Sequence, residues 1–325
     1  MASRSDGPVA VVDLGGTKFI AAVVDGGGKI LSRLYCPTLS SEGPEKIIAR
    51  LSESIRQAID KSGEKVVAVS IAAAAIIDIK KGLITEAPNL PRWINVPLRD
   101  MLHEEFRMPV HLLNDASAAA LGEHALGAGR GIDNLIYMTV STGIGGSLII
   151  NGELYQGPDG SAAEIGHTII QINGPKCACG RFGCLESLAS GTAIARMARQ
   201  KLPSHKSSLL YKMAGGKIKG VTAEQVTVAA KKGDRLALSI VEEAAGYLGI
   251  GLGNLVNIFN PQMIIIGGGV SENGNMLLVP ARRAMKKIAF RLPARTVRIV
   301  RAGLGANAGM LGAAVYARLQ GRLGK

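Results

Sequence analysis

Two stretches of the chain follow one plan. VDLGGTKFIAAVVDGGGKIL, starting at Val12, runs as apolar strand, glycine turn, apolar strand, second turn and strand, and VSTGIGGSLIINGELY, starting at Val140, repeats that order. The offset of roughly 128 residues is far longer than the period of a solenoid or a propeller. It predicts two related halves, each opening on an antiparallel meander. With 325 residues and 47% hydrophobic content the chain is long enough to bury two cores.

The rest of the chain fills in both halves. PEKIIARLSESIRQAIDKSG places Ile47, Leu51, Ile55 and Ile59 at steps of four and ends at Gly63, which predicts an amphipathic helix. VVAVSIAAAAI and PVHLLN read as strands, and ASAAALGEHALG as a helix stopped by Gly127. Beyond the second meander a helix is expected near 187–200, a loop or insertion from Pro203 to Gly220, then VTAEQVTVAAKKG and a long helix from Asp234 closed by Pro261. QMIIIGGGV and TVRIVRA read as strands and NAGMLGAAVYARLQG as a terminal helix. Strands alternating with helices give an α/β class.

The net charge of +13 favours anionic partners, from nucleic acid to phosphorylated small molecules. Its basic residues are dispersed and aromatics make up only 4%, a poor basis for stacking on bases, so no nucleic-acid partner is expected. No stretch reads as a membrane span, and MASRSDGP lacks the apolar centre of a signal peptide, so no membrane partner and a cytoplasmic address are expected.

Chemistry-bearing residues gather at the glycine turns. In DLGGTK, Asp13 ends a buried strand and is followed by Gly15, Gly16, Thr17 and Lys18, whose amides can cradle phosphate oxygens; a plain hairpin turn is the simpler alternative. STGIGG, with Thr142, Gly143 and Gly145, repeats that chemistry at the matching point of the second half, and Gly268 in GGGV offers close approach to the rest of a nucleotide. The Walker signature is absent, and these turns lead into strands rather than helices, against a Rossmann site. In LLNDASAAA, Asn114 and Asp115 stand between a strand and a helix. They are suited to capping or, for Asp115, to accepting a proton from an attacking hydroxyl.

EIGHTIIQINGPKCACGRFGCLE places His167, Cys177, Cys179 and Cys184 in one segment. These are the four N/S donors that structural zinc favours, and the cysteine spacing differs from the redox Cys-x-x-Cys. Four ligands close the coordination sphere, so the ion would be structural. Glu164 and Glu186 flank the clip, and with the second nitrogen of His167 they suit several hydroxyls of a sugar.

These motifs together resemble the ROK family of sugar kinases and repressors, over about residues 9 to 320. DLGGTK is similar to its first phosphate motif, STGIGG to the second, GGGV to the adenosine motif, and EIGH with CACGRFGCLE to its E-x-G-H and C-x-C-G-x-x-G-C-x-E signatures. The resemblance implies a duplicated actin-like/hexokinase-like (ribonuclease H-like) ATPase fold with two domains around a cleft, here 1–118 plus 306–325 and 119–305. It implies an ATP-dependent hexose kinase acting on the 6-hydroxyl of glucose, a homodimer or homotetramer using ATP, Mg2+ and a structural Zn2+. Asp115 would be the base. Asn114, Asp115, Glu164, His167 and Glu186 would bind the sugar, Asp13 would help place Mg2+, and the two glycine turns would line the phosphate channel. N-acetylmannosamine or N-acetylglucosamine phosphorylation, polyphosphate as donor, and sugar sensing without turnover are the alternatives. Twelve residues precede Asp13, too few for the helix-turn-helix of the family's repressors.

Three segments depart from the family's usual pattern. Ala74 and Ala75 replace a common Pro-Gly, the glycine of which usually lies beside the sugar. AAEIGH stands where AGEIGH is frequent, and NLPRW, which contains Asn89, stands where glucokinases have NLPGW.

Overall fold

The computed structural model describes residues 7–323, so the reading of the extreme N-terminus lies outside the described residues. The chain divides into two compact units, residues 1–131, 148–162 and 303–325, and residues 132–147 and 163–302.

The first unit is built on a five-stranded sheet. Val9–Leu14 (β1), Lys18–Val24 (β2) and Ile30–Pro37 (β3) form the expected antiparallel meander, and Ala68–Ala73 (β4) and Val110–Asn114 (β8) extend it in the order β3-β2-β1-β4-β8. β1 pairs parallel with β4, and β4 parallel with β8. The helix Pro44–Ser62 (α1) buries Ile47, Ile48, Leu51, Ile55 and Ala58 and stops at Gly63, whose φ of 68° suits glycine. Asp115–Leu126 (α3) and Ala308–Leu323 (α11) touch backbone to backbone. A Cβ at Gly312 would lie 1.6 Å from the Ala118 carbonyl oxygen, and one at Gly122 would lie 2.4 Å from that of Ala308. The alanine- and glycine-rich composition of both helices is what allows this approach.

Residues 66–76 read as one strand, but the ladder stops at Ala73. There the Ala75 amide turns back to the Ala73 carbonyl (2.8 Å), and the chain restarts as Ile76–Asp78 (β5). β5, Leu83–Glu86 (β6) and Ile94–Val96 (β7) make a small antiparallel sheet followed by the helix Leu98–Phe106 (α2).

The second sheet comprises Leu135–Val140 (β9), Ile144–Ile150 (β10), Glu153–Tyr155 (β11), Met263–Gly267 (β12) and Arg298–Arg301 (β13). Its order, β11-β10-β9-β12-β13, is that of the first sheet position for position, with β9, β12 and β13 parallel. The sequence repeat is therefore a repeat of sheet topology. The helix expected near 187–200 is two, Leu185–Ala189 (α4) and Gly191–Lys201 (α5), broken at Ser190, whose hydroxyl caps α5 through the Ala193 amide (3.2 Å). The stretch 203–220 contains Leu209–Met213 (α6) between two short 3-10 turns rather than a plain loop. Ala223–Lys231 (α7) carries a Thr222/Gln225 capping box.

Arg235–Phe259 (α8) corrects the reading that no stretch is apolar enough to span a bilayer, since by length and hydropathy alone it is. Of its apolar window, 61% is buried inside the protein, as a core helix requires. Asn275–Ile288 (α9), which packs on α8, and Arg291–Thr296 (α10) complete this unit.

Candidate active site

In the first unit the candidate site residues surround the β1–β2 turn. Gly15 donates to the Lys18 carbonyl (3.1 Å), and a Cβ there would meet that oxygen at 2.9 Å. A Cβ on Gly16 would lie 2.6 Å from the Asn89 Cβ and 2.8 Å from its carbonyl oxygen, so the 89–93 segment lies directly on the turn. From the end of β3, Thr38 donates its hydroxyl to the Gly15 carbonyl (2.7 Å) and its amide to that of Thr17 (2.9 Å). Thr17 and Lys18 are left exposed beside this fixed backbone.

Asp13 ends β1 partly buried, with Gly309 of α11 so near that a Cβ would lie 3.3 Å from its carboxylate. Burial pushes the Asp13 carboxyl up to about 7; the charge of Asp115 adds to the rise and Lys18 opposes it. Asp13 and Asp115 are thus electrostatic neighbours.

The capping reading of the Asn114–Asp115 pair falls to Asn114. Asn114 is the cap of α3, its Oδ1 accepting from the Ala116 amide (2.9 Å) and the Ser117 amide (3.3 Å). Its Nδ2 donates to the Ala75 carbonyl at 3.3 Å. Asp115 is the first helical residue, one oxygen accepting from the Ala116 amide at 2.9 Å. Burial raises its pKa, and the backbone amides of Ala116 and Asp115 work against that rise. A carboxylate held at a helix N-terminus with a raised pKa suits a general base.

In the second unit the β9–β10 turn is tied to the start of α5. Gly191 donates to the Ser141 carbonyl (2.7 Å), and the Thr192 hydroxyl donates to that of Thr142 (2.8 Å). Thr192 escaped the sequence reading because the contact is tertiary. Glu186 accepts from the Ile144 amide at 2.9 Å, and its Oε2 would lie 2.4 Å from a Cβ at Gly143. The glycine of EIGH has a parallel reason. A Cβ on Gly166 would meet the Ile144 carbonyl oxygen at 1.9 Å, which fixes the turn carrying exposed Glu164 and half-buried His167 against β10. Gly268, at φ 83°, backs onto the end of β9, where a Cβ would be 2.4 Å from the Val140 carbonyl oxygen.

The four zinc candidates converge, with all ligand atoms within 4.8 Å of one another. Cys177 Sγ lies 3.7 Å from His167 Nδ1, and Cys179 Sγ lies 3.7 Å from Cys184 Sγ. A regular tetrahedron with Zn–S bonds of about 2.3 Å has edges of about 3.8 Å, so the spacing fits the ion. Gly180 and Gly183, at φ 87° and 73°, allow the tight returns of this loop. The Cys177 thiol also points to Glu186 Oε1 (3.6 Å), linking the clip to the carboxylate on the β9–β10 turn.

Residues 9–320 match the ROK family. The chain is 42% identical over 305 residues to a glucokinase of Thermotoga maritima, an alignment spanning 93% of this chain and 95% of that protein. It is 32% identical over 308 residues to an N-acetylmannosamine kinase of Escherichia fergusonii, spanning 94% and 97%. Among solved structures, a ROK family glucokinase from Streptomyces griseus in complex with glucose and AMPPNP is similar with a TM-score of 0.84 and 37% identity, covering 96% of this chain and all of that one.

Proposed function

The chain belongs to the ROK family and has its duplicated actin-like/hexokinase-like fold, and from that premise we propose that it is an ATP-dependent glucokinase. The observation that carries the reading is the division of labour at the start of α3. Asn114 does the capping, which leaves the Asp115 carboxylate, of raised pKa, available for a substrate proton.

In the proposed reaction the sugar 6-hydroxyl oxygen attacks the γ-phosphorus of ATP, the bond from that phosphorus to the β-phosphate bridging oxygen breaks, and ADP leaves. The hydroxyl proton goes to Asp115. One oxygen of Glu186 is oriented before the sugar arrives, by the Ile144 amide. Glu164, His167 and Glu186 receive sugar hydroxyls. Asn114, with its Oδ1 occupied twice and one amide hydrogen used on Ala75, retains one donor for them. The turn amides at Gly15–Lys18 and at Thr142–Gly145 hold phosphate oxygens, and Gly268 admits the adenosine.

Asp13 is a hard oxygen donor that would hold Mg2+ together with water and phosphate, and the ion would supply charge neutralisation at the transferring group. The Cys3His set would hold a structural Zn2+, and with His167 Nδ1 facing the cysteines its Nε2 would be left for the substrate.

The similarity to an N-acetylmannosamine kinase supports an acetylated hexosamine as the second reading. The test is sugar-dependent ADP release with MgATP against glucose, mannose, fructose, N-acetylglucosamine, N-acetylmannosamine and no sugar. Turnover on glucose that D115A abolishes, with folding and zinc intact, is expected. Turnover on an acetylated sugar alone replaces the substrate, and silence on every sugar refutes the kinase reading.

A further inference from the structure

We propose that Arg92 is a positioning residue for the first phosphate turn, clasping the segments that press on Gly15–Thr17 from two sides. The inference rests on the kinase reading above.

One of those segments is 89–93, whose Asn89 lies against Gly16 so closely that no side chain fits at 16. It is anchored by Trp93, 1% exposed, while Arg92 beside it is exposed. The other segment is 38–43, whose Thr38 fixes the carbonyls of Gly15 and Thr17. Arg92 joins the two. Its Nη2 donates to the Ser41 carbonyl at 2.8 Å, and the guanidinium lies over Gly43, where a Cβ would be 2.8 Å from Nη2. Arg50 secures the same segment from below through the Thr38 carbonyl (2.8 Å) and an ion pair with Glu42.

The backbone at Arg92 argues that this contact has a use. Its φ is 69°, in the left-handed region where an L side chain is disfavoured and where the similar NLPGW segment has glycine. Trading glycine for a strained arginine gains nothing for the turn itself. What it adds is the donor to Ser41, and with it a tether between the Asn89 side of the phosphate turn and the Thr38 side. Without the tether the Thr17 and Lys18 backbone can open, loosening the seat of the phosphates without altering the groups that react.

The test uses the full-length protein with R92G and R92K. In R92G the KM for MgATP is expected to rise about fivefold, the factor one ordinary hydrogen bond supplies. kcat should stay within about twofold, since no reacting group moves. R92K keeps a donor within reach of Ser41 and should restore the wild-type KM. Amide exchange over 39–43 should quicken in R92G and not in R92K, while the thermal midpoint of R92G holds or rises because glycine relieves the left-handed φ. An unchanged KM in R92G, an equal defect in R92K, or a KM change that only tracks a fall in thermal midpoint overturns the proposal. If the wild-type protein releases no ADP with any sugar, the kinase reading falls, and exchange over 15–17 and 39–43 alone decides whether the clasp exists.

Discussion

Gly143→Ala isolates the link between the β9–β10 turn and Glu186, to which the proposed reaction gives phosphate and sugar respectively. The backbone at 143 is outside the left-handed region, so alanine meets no conformational barrier there. The obstacle is Glu186, whose Oε2 would lie 2.4 Å from the new Cβ, below the 3.0 Å that real Cβ contacts respect. The oxygen must retreat by at least about 0.6 Å, which stretches its 2.9 Å bond from the Ile144 amide past useful length. A hydrogen bond to a charged group is worth about 1.5–3 kcal/mol, and if that orientation is needed in the transition state, kcat/KM for the sugar should fall roughly 10- to 150-fold. Coupled-enzyme kinetics over a glucose series measures it, with zinc content and thermal unfolding as controls for the clip and the fold. The partner experiment repeats the change in E186A. If the methyl acts only by displacing Glu186, it adds almost nothing there, and the double-mutant cycle shows strong coupling. A kcat/KM for sugar within twofold of wild type in G143A, or additive losses in the double mutant, would refute the reasoning.

Three further outcomes are expected. Ala163→Gly replaces a side chain at φ 69° just before EIGH; strain relief of about 1–2 kcal/mol less an entropy cost of about 0.4–1 should leave a net gain near 0.5–1 kcal/mol in urea unfolding, and destabilisation would show that Ala163 is unstrained. Cys179→Ser should lower bound zinc per chain, measured by elemental analysis, and weaken sugar binding by calorimetry together; normal affinity in a zinc-free variant would sever the clip from the site. His111, on β8 with its ring edge-on to Tyr316 of α11 at 6.1 Å, has its pKa lowered first by burial and then by the charge of Arg99. The unfolded chain then binds the proton more readily, so the stabilisation is full above the ordinary value of 6.5 and is lost as pH falls below it; H111Q should flatten the dependence of the urea midpoint between about pH 7 and 5.

The repeat was legible because strand period and glycine turns are local signals, and it foretold two sheets of the same order. α9 was not, because its buried Leu277, Leu278, Ala281 and Met285 alternate with Arg282, Arg283, Lys286 and Lys287, so the segment reads as a basic stretch. The break of 66–76 after Ala73 is a tight turn of the Ala75 amide onto the Ala73 carbonyl, made without any strand-breaking residue to announce it. At the candidate site, the motifs drew attention to glycines without showing why each is a glycine. Gly16 yields to Asn89, Gly143 to Glu186 and Gly166 to the Ile144 carbonyl, and none of these neighbours is adjacent in sequence. A plain turn and a ligand loop look alike until those contacts are known.

Backbone strain supplies a line of argument that owes nothing to motifs. Of the non-glycine residues with positive φ, Asn95, Asn151, Asn173 and Asn260 are the residue type that tolerates it, and Arg107 closes α2. That leaves Leu39, Arg92 and Ala163. Leu39 and Arg92 lie in the two segments that grip the β1–β2 turn, and Ala163 precedes the turn carrying Glu164 and His167. Strained residues persist where the surroundings over-determine them, and they gather at ligand sites. Two of these positions can be set against each other. R92G removes both strain and a contact, whereas A163G removes a strain that no side-chain hydrogen bond offsets. If strain serves positioning, R92G should lose substrate affinity at constant stability while A163G gains stability at constant affinity. If it is incidental turn geometry, both should merely stabilise.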